Sequence, residues 1–353
     1  MNAKPIGLLA VVATLGACAN GSGVVKVVIP PGTSLRVAAD SLANSGVIHA
    51  KPLFRLYATI RGWSADIPAG TYALRRGAGW ETILSALRGG KGRIAVVTVP
   101  EGFSVAQIAH LLETKLGVSA DSMRAAVSDS ELLHQVDDPT ATLEGYLFPD
   151  TYTFPQGTTA REAVRAMVRH FEQVWRPEWT ARLDSIPMSR HDVLTLASIV
   201  EKEAKLPEER PVIAAVYMNR LRDGMLLESD PTVQYALGGH EARVLDRQLR
   251  VDSPYNTYKH KGLPPGPIAS PGRASIVAAL YPARVPYKYF VAFPDGHHEF
   301  RLDLAAHRVA AAAARRAWDA WYAHGHSGGA PPMADTTRAK KLGGTAPASG
   351  PGR

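Results

Sequence analysis

Residues 189–224 read SRHDVLTLASIVEKEAKLPEERPVIAAVYMNRLRDG. Ser189 followed three residues later by Asp192 has the spacing of a box that caps the start of a helix. Counting 100° per residue from Val193, the side chains of Val193, Leu196, Ala197, Val200 and Ala204 fall within about 100° of arc. Glu201 falls at about 80°, between Ala197 at about 40° and Leu194 at about 100°. Lys202 points the opposite way and Glu203 sits on the flank, so both read as solvated helix charges. The spacing predicts a helix that turns one carboxyl, Glu201, toward its apolar face. Carboxylates are rarely buried without a partner, and a carboxyl among apolar neighbours resists ionisation near neutral pH. A general acid that cleaves a glycosidic bond needs that property. The same spacing suits a buried ion pair from Glu201 to Arg210 or Arg220.

Working outward, four further runs carry side chains with chemistry. LEGYLFPDTYTFP (143–155) packs Glu144, Tyr146 and Asp150 among turn formers. Rings that stack on pyranose faces and carboxylates that bind hydroxyls suit a sugar site, and a Pro-terminated strand with its own aromatic contacts suits the run equally. In LLESDPTVQYALGG (226–239), Ser229-Asp230-Pro231 reads as a helix cap with Pro at the first helical position. SPYNTYKHKGLPPGPIASPG (253–272) is rich in Pro and Gly and reads as a rigid irregular loop of about 20 residues, a length that is usually functional. Asn219, Asp230, Gln234, Tyr255, Asn256 and Tyr258 are candidate hydrogen-bonders to sugar. KYFVAFPDGHHEF (288–300) reads as a hairpin turning at Asp295-Gly296. His297 and His298 are adjacent, and adjacent strand residues face opposite sides, so the pair argues against a metal site. The chain contains no Gly-rich phosphate loop and no Gly-x-Ser-x-Gly elbow, and no cofactor is expected.

Composition narrows the classes. The 353 residues are 46% hydrophobic and 20% charged, too apolar for a disordered chain. One Cys excludes an internal disulfide framework and a Cys-rich zinc site. The net charge is +8. Arg338, Lys340, Lys341 and Arg353 against Asp335 put part of that excess in the last residues. Without a dense basic stripe interleaved with aromatics, no nucleic-acid partner is expected. A faintly basic body suits an anionic polymer or a membrane surface. At the start, Lys4 precedes an apolar run from Ile6 to Ala17, short of the roughly 20 residues a spanning helix needs. Cys18 follows in the context Leu15-Gly16-Ala17-Cys18, which resembles the lipobox of bacterial lipoproteins. Residues 1–18 are therefore expected to be a lipidation signal, a cleaved signal or a short membrane anchor, and each of these exports the chain.

The architecture expected is α+β. IPPGTSLRVAADSL (29–42) aligns without a gap to VPEGFSVAQIAHLL (99–112), matching at Pro30/Pro100, Gly32/Gly102, Ser34/Ser104, Ala39/Ala109 and Leu42/Leu112. This is a strand–turn–helix repeat. Residues 24–92 form one small strand-and-helix module that resembles the LysM-like modules that hold glycan chains. A larger mixed α+β region runs from 93 to 322 and ends in an Ala-rich helix anchored by Trp318 and Trp321. Residues 323–353 have the composition of a disordered tail.

Taken together, EGYLFPDTY from Glu144, LASIVEKEA from Leu196, NRL from Asn219, SDPTVQYALG from Ser229, the 253–272 loop and YFVAFPDGHHEF from Tyr289 closely resemble the endolytic murein transglycosylases of the MltG/YceG type. The resemblance runs from about residue 24 to 310. It implies that Glu201 is catalytic. The carboxyl would protonate the oxygen between N-acetylmuramic acid and N-acetylglucosamine, then take the proton of the muramyl 6-hydroxyl to leave a 1,6-anhydro end. It also implies glycan strands as substrate, peptidoglycan synthases as partners, and a place at the bacterial inner membrane with the catalytic region outside the cytoplasm. Two other functions fit the residues. One is a non-catalytic peptidoglycan-binding lipoprotein. The other is a hydrolytic glycosidase, with Glu144 or Asp150 as a second carboxylate. The short N-terminal run and the tail depart from the family pattern.

Overall fold

The computed structural model describes residues 23–63, 67–88, 90, 92–136, 142–239, 244–245 and 247–324. Cys18, the expected signal or anchor and nearly all of the tail lie outside these residues. No helix among the described residues is long and apolar enough to cross a membrane. The chain is α+β with antiparallel pairing and divides into two compact units, residues 1–95 and 96–353.

In the first unit, β1 (Val24–Ile29) is followed by α1 (Leu35–Asn44) and α2 (Lys51–Ile60), then β2 (Gly70–Arg75), α3 (Trp80–Arg88) and the start of β3 (Arg93–Thr98). β1 runs antiparallel to β2 in register from Val24↔Arg75 to Ile29↔Gly70, and Thr71 and Tyr72 pair with Ile94 and Arg93. Alternation in β1 buries Val27 and Ile29 while Lys26 and Val28 face solvent. Val27 and Ile29 meet Ala38, Ala39 and Leu42 of α1, Phe54 and Ala58 of α2, and Ile83 and Leu87 of α3 in one core. Tyr72 is buried in the same core, and its hydroxyl is satisfied by the Pro68 carbonyl at 2.6 Å.

In the second unit, α4 (Val105–Leu116), α5 (Ala120–Val127) and α6 (Ser130–Gln135) precede β4 (Thr151–Pro155), α7 (Ala160–Val174) and α8 (Pro177–Leu183). Next come α9 (Arg190–Glu203), α10 (Arg210–Arg222), α11 (Asp230–Ala236) and α12 (Arg273–Leu280), then the hairpin β5 (Tyr289–Ala292) and β6 (His298–Arg301), and finally α13 (Leu304–Ala323). The strand–turn–helix repeat is present in both copies: Gly32 and Gly102 take left-handed φ of 66° and 76° in their turns, and Ser34 and Ser104 occupy the caps. Only Ser104 caps with its side chain, reciprocally with Gln107, whereas Ser34 makes no such bond. The hairpin pairs Ala292 with His298 around Gly296, and Trp318 Nε1 of α13 donates to the Ala292 carbonyl at 3.0 Å. Residues 251–272 contain no helix or strand.

α9 departs from the one-sided helix that its spacing implies. Val193 to Val200 are all buried, including Thr195 and Ser198. The physical reason is its position, since α10, α11 and α12 all pack on it and leave no solvent face through those residues. The Ser189–Asp192 box caps it as the spacing predicts, with the Asp192 N–H donating to Ser189 Oγ and the Ser189 N–H to the Asp192 carboxylate.

Candidate functional site

The last turn of α9 carries Glu201, whose side chain is only 7% exposed. Its Oε2 accepts the Gly272 N–H at 3.0 Å and the Ser275 hydroxyl at 2.7 Å. Gly272 is the cap of α12 and Ser275 lies in its first turn, so this oxygen sits at a helix start, where backbone donors and the helix dipole favour negative charge. Oε1 lies 3.4 Å from Arg210 Nη2. Arg210 Nε donates to Ser275 Oγ at 3.1 Å, so Arg210, Ser275 and Glu201 form a short chain. The ion pair with Arg210 therefore exists, but it is a single long contact rather than a two-pronged clamp. Arg220 is instead bound to the carbonyls of Leu226, Leu227 and Lys288 and to Glu228.

The neighbours on α9 depart from their sequence reading. Glu203 is not a solvated charge. Its carboxyl is buried, accepts the Tyr217 hydroxyl at 2.7 Å and the Ser229 hydroxyl at 2.8 Å, and is pushed up from the usual carboxylate range chiefly by that burial. Lys202 is partly buried, its Nζ donates to the Gly102 carbonyl at 3.2 Å, and burial lowers its pKa. Both errors have one cause: the turn preceding α4 and the start of α11 cover the helix end that periodicity alone leaves to water.

The other sequence candidates fall into groups. Glu144 is buried; its carboxyl accepts the Val105 N–H, the first of α4, at 3.0 and 3.2 Å, and the Tyr235 hydroxyl at 3.2 Å. The Tyr235 ring packs tilted against Tyr255, centroids 4.8 Å apart, which joins Glu144 and Tyr255 in one cluster. Tyr146 is buried against Phe171, and its hydroxyl lies 3.4 Å from Nδ1 of His191, whose Nε2 lies 2.8 Å from the Pro265 carbonyl. Asp230 accepts the Tyr258 hydroxyl at 2.6 Å beside the buried Gln234. Asn219 is spent on the carbonyls of Val285 and Tyr287, and Asn256 on those of Leu249 and Val251. Asp150 pairs with His170 at 2.7 Å. The 253–272 loop is pinned to α9 where the Ile268 N–H donates to Ser198 Oγ at 3.0 Å.

Burial pushes the Glu144 carboxyl up to about 7 from its ordinary 4.5. A carboxyl whose folded pKa is raised favours the fold while protonated, and that advantage is lost as pH rises from the unfolded value through the folded one. Wild-type protein is thus expected to lose about 3 kcal/mol relative to Glu144→Gln between pH 4.5 and 8. Denaturant unfolding of both proteins across that range checks this, and a pH-independent difference would contradict it.

Among the described residues no cluster of three or more His, Cys, Asp or Glu side chains is placed to hold a metal ion. His298 is held by the Glu209 carboxyl at 2.6 Å, and His297 pairs with Asp295. Two surface cavities, of about 620 and 520 Å³, lie away from Glu201: one between α5 and the start of α7, the other between α10 and residues 282–286. Sequence reasoning missed Glu101, Gly272 and Ser275. Glu101 had a signal, because it stands where the other copy of the repeat has Pro31.

The model of the YceG-like family matches residues 27–313. The chain belongs to the YceG-like family. A Bacillus subtilis relative, named an endolytic murein transglycosylase, is 36% identical over 302 residues, covering 81% of this chain and 83% of its own length. A Streptococcus pneumoniae relative of the same name is 31% identical over 305 residues, covering 78% of this chain and 55% of the relative. The crystal structure of a yceG-like protein from Listeria monocytogenes superposes with a TM-score of 0.59 at 33% identity, covering 81% of this chain and 98% of that one. Glu201, at the end of α9, and the 253–272 loop fall inside the matched family region.

Proposed function

We propose that this YceG-like protein is an endolytic murein transglycosylase, with Glu201 as its catalytic acid and base. The observation that carries the reading is a carboxyl at the end of a buried helix, oriented by Gly272 and Ser275 and only loosely met by Arg210. Glu201 donates a proton to the glycosidic oxygen as the bond from C1 of N-acetylmuramic acid breaks. The carboxylate so formed then takes the proton of the muramyl 6-hydroxyl as O6 closes onto C1. One carboxyl serves both steps because the nucleophile is part of the substrate and is already in place. The Gly272 N–H and the Ser275 hydroxyl steady the charge on Glu201 between the steps.

In this reading the substrate is the glycan strand, cut internally so that elongation ends, and the catalytic region works outside the cytoplasm. Attachment through residues 1–18, peptidoglycan synthases as neighbours, and a LysM-like glycan-holding role for the first unit complete the proposal. Glu144, Tyr146, Asp150, Asn219, Asp230, Gln234, Tyr255, Asn256 and Tyr258 are its substrate-side candidates. Of these, Asp150 and Asp230 are exposed, and Tyr255 and Tyr258 are half-buried.

The test is mass spectrometry of the sugars released from purified murein. Transglycosylation is expected to give fragments lighter by one water than their reducing counterparts. Reducing ends would instead mean a hydrolase, and no release at all would mean a glycan-binding protein.

A further inference from the structure

Glu101 is a carboxyl beside Glu201 that the one-carboxyl reaction leaves without a role. It lies in the turn between β3 and α4, next to Gly102. That turn is fixed tightly over the site. The Gly102 N–H donates to the Ser270 carbonyl at 2.8 Å, the Gly102 carbonyl receives Lys202 Nζ, and a Cβ on Gly102 would come within 3.6 Å of Glu201 Cγ. The Glu101 carboxyl lies so close to Gly272 that a Cβ added to Gly272 would overlap it. Gly272 is the same residue whose N–H holds Glu201 Oε2. Two carboxyls therefore border one glycine at the start of α12.

The two differ in what satisfies them. Glu201 has a backbone donor, a hydroxyl and a guanidinium. Glu101 is an exposed residue whose carboxyl is partly covered, and among the described residues no N–H or O–H donates to that carboxyl. Partial burial first, and then the nearby Glu201, raise its pKa, while Arg210 opposes them. Nothing in the packing of the fold uses this side chain, yet the absence of a Cβ at position 272 makes room for it.

We propose that Glu101 is a second catalytic carboxyl of this site, an ionised group that faces the sugar beside Glu201 and stabilises positive charge at the anomeric carbon. The proposal rests on the reading of Glu201 as proton donor. As the proton of Glu201 passes to the leaving oxygen and the bond to C1 breaks, positive charge spreads over C1 and the ring oxygen. Glu101 lowers the energy of that state through space and forms no bond. O6 then closes onto C1, and its proton returns to Glu201, so Glu101 ends the cycle in the charge state in which it began. A fixed charge aimed at a developing one, partly screened from water, is among the strongest contributions a site can make.

The test uses the full chain, purified murein and the count of 1,6-anhydro ends by mass spectrometry. Glu101→Gln is expected to lower kcat roughly 100-fold with little change in KM, and Glu101→Asp to recover part of the loss. Gly272→Ala is expected to match Glu101→Gln, because the new methyl displaces the carboxyl while a backbone at φ −73° and ψ 167° suits alanine. The double variant should be no worse than either single one. The charged groups facing Glu101 are Glu201 from α9 and Arg210 from α10. Since the ionised form is the useful one, wild-type kcat should climb with pH above the ordinary glutamate range, and Glu101→Gln should lose that limb. Wild-type kcat in Glu101→Gln, or an unchanged acid limb, overturns the proposal. If Glu201→Gln is inactive while Glu101→Gln is not, this inference alone fails; if Glu201→Gln is active, the proton-donor reading fails with it. Should Glu101→Gln not fold, Gly272→Ala decides the question by the same readouts.

Discussion

Glu201→Gln is expected to cut the release of anhydro-ended fragments by about three orders of magnitude, the middle of the range for losing a general acid. Glutamine keeps the shape of the side chain. Its amide oxygen can still accept the Gly272 N–H and the Ser275 hydroxyl that hold Oε2. What it cannot do is give up a proton to the glycosidic oxygen or accept one from the 6-hydroxyl. The loss should therefore fall on kcat, with binding to murein and the thermal midpoint nearly unchanged. The one new strain is the amide group facing Arg210 Nη2, where an attraction across 3.4 Å is replaced by two sets of donors. That contact is long and single, so its removal should cost little. Comparing turnover, murein pull-down and thermal midpoint for the two proteins separates the outcomes. Loss of folding together with activity would make Glu201 a structural ion-pair partner, and retained activity would end the proposal.

Much of the site is legible in the sequence, and the misses share a physical cause. The cap at Ser189, the helix that follows and the placing of Glu201 on a covered side all follow from local spacing. So do the Asp295-Gly296 hairpin and the irregular 253–272 loop, because turn chemistry is also local. What failed was the judgement of solvent. Glu203 looks like a surface charge because sequence separation hides Tyr217 and Ser229, 14 and 26 residues away. The place of Glu101 in the site is hidden for the same reason, since 171 residues separate it from the glycine that makes room for it. Periodicity reports which side of a helix is apolar. It does not report that three other helices surround α9 and turn a stripe into a fully buried rod. In the 143–155 run, whose aromatic and acidic residues suit a sugar site, the partners of Glu144 are the first N–H of α4 and Tyr235, the latter 91 residues away and out of reach of local spacing.

Gly145→Ala is expected to destabilise the protein by about 4 kcal/mol, the largest stability loss foreseen for a single methyl. Gly145 has φ of 85°, a conformation in which any Cβ is strained. In addition, that Cβ would stand 2.5 and 2.6 Å from Cβ and Cγ of Pro267, with the Ala269 carbonyl at 3.5 Å behind. A proline ring cannot rotate away as a lysine tip can. The segment around it is also held, by the Ile268 N–H on Ser198 of α9 and the Ser270 N–H on the Phe103 carbonyl. Relief would require the 253–272 loop to lift from α9, carrying Gly272 and so the donor to Glu201. Gly157 supplies the control, since it has the same φ of 85° and nothing within 4 Å of its missing Cβ. Gly157→Ala should cost only the backbone strain, about 1 to 2 kcal/mol. The difference between the two variants, measured by denaturant unfolding, isolates the overlap with Pro267. Equal losses would mean that the loop yields freely, and the EGYLFP and GLPPGP runs would then be independent features rather than two halves of one packed contact beneath the site.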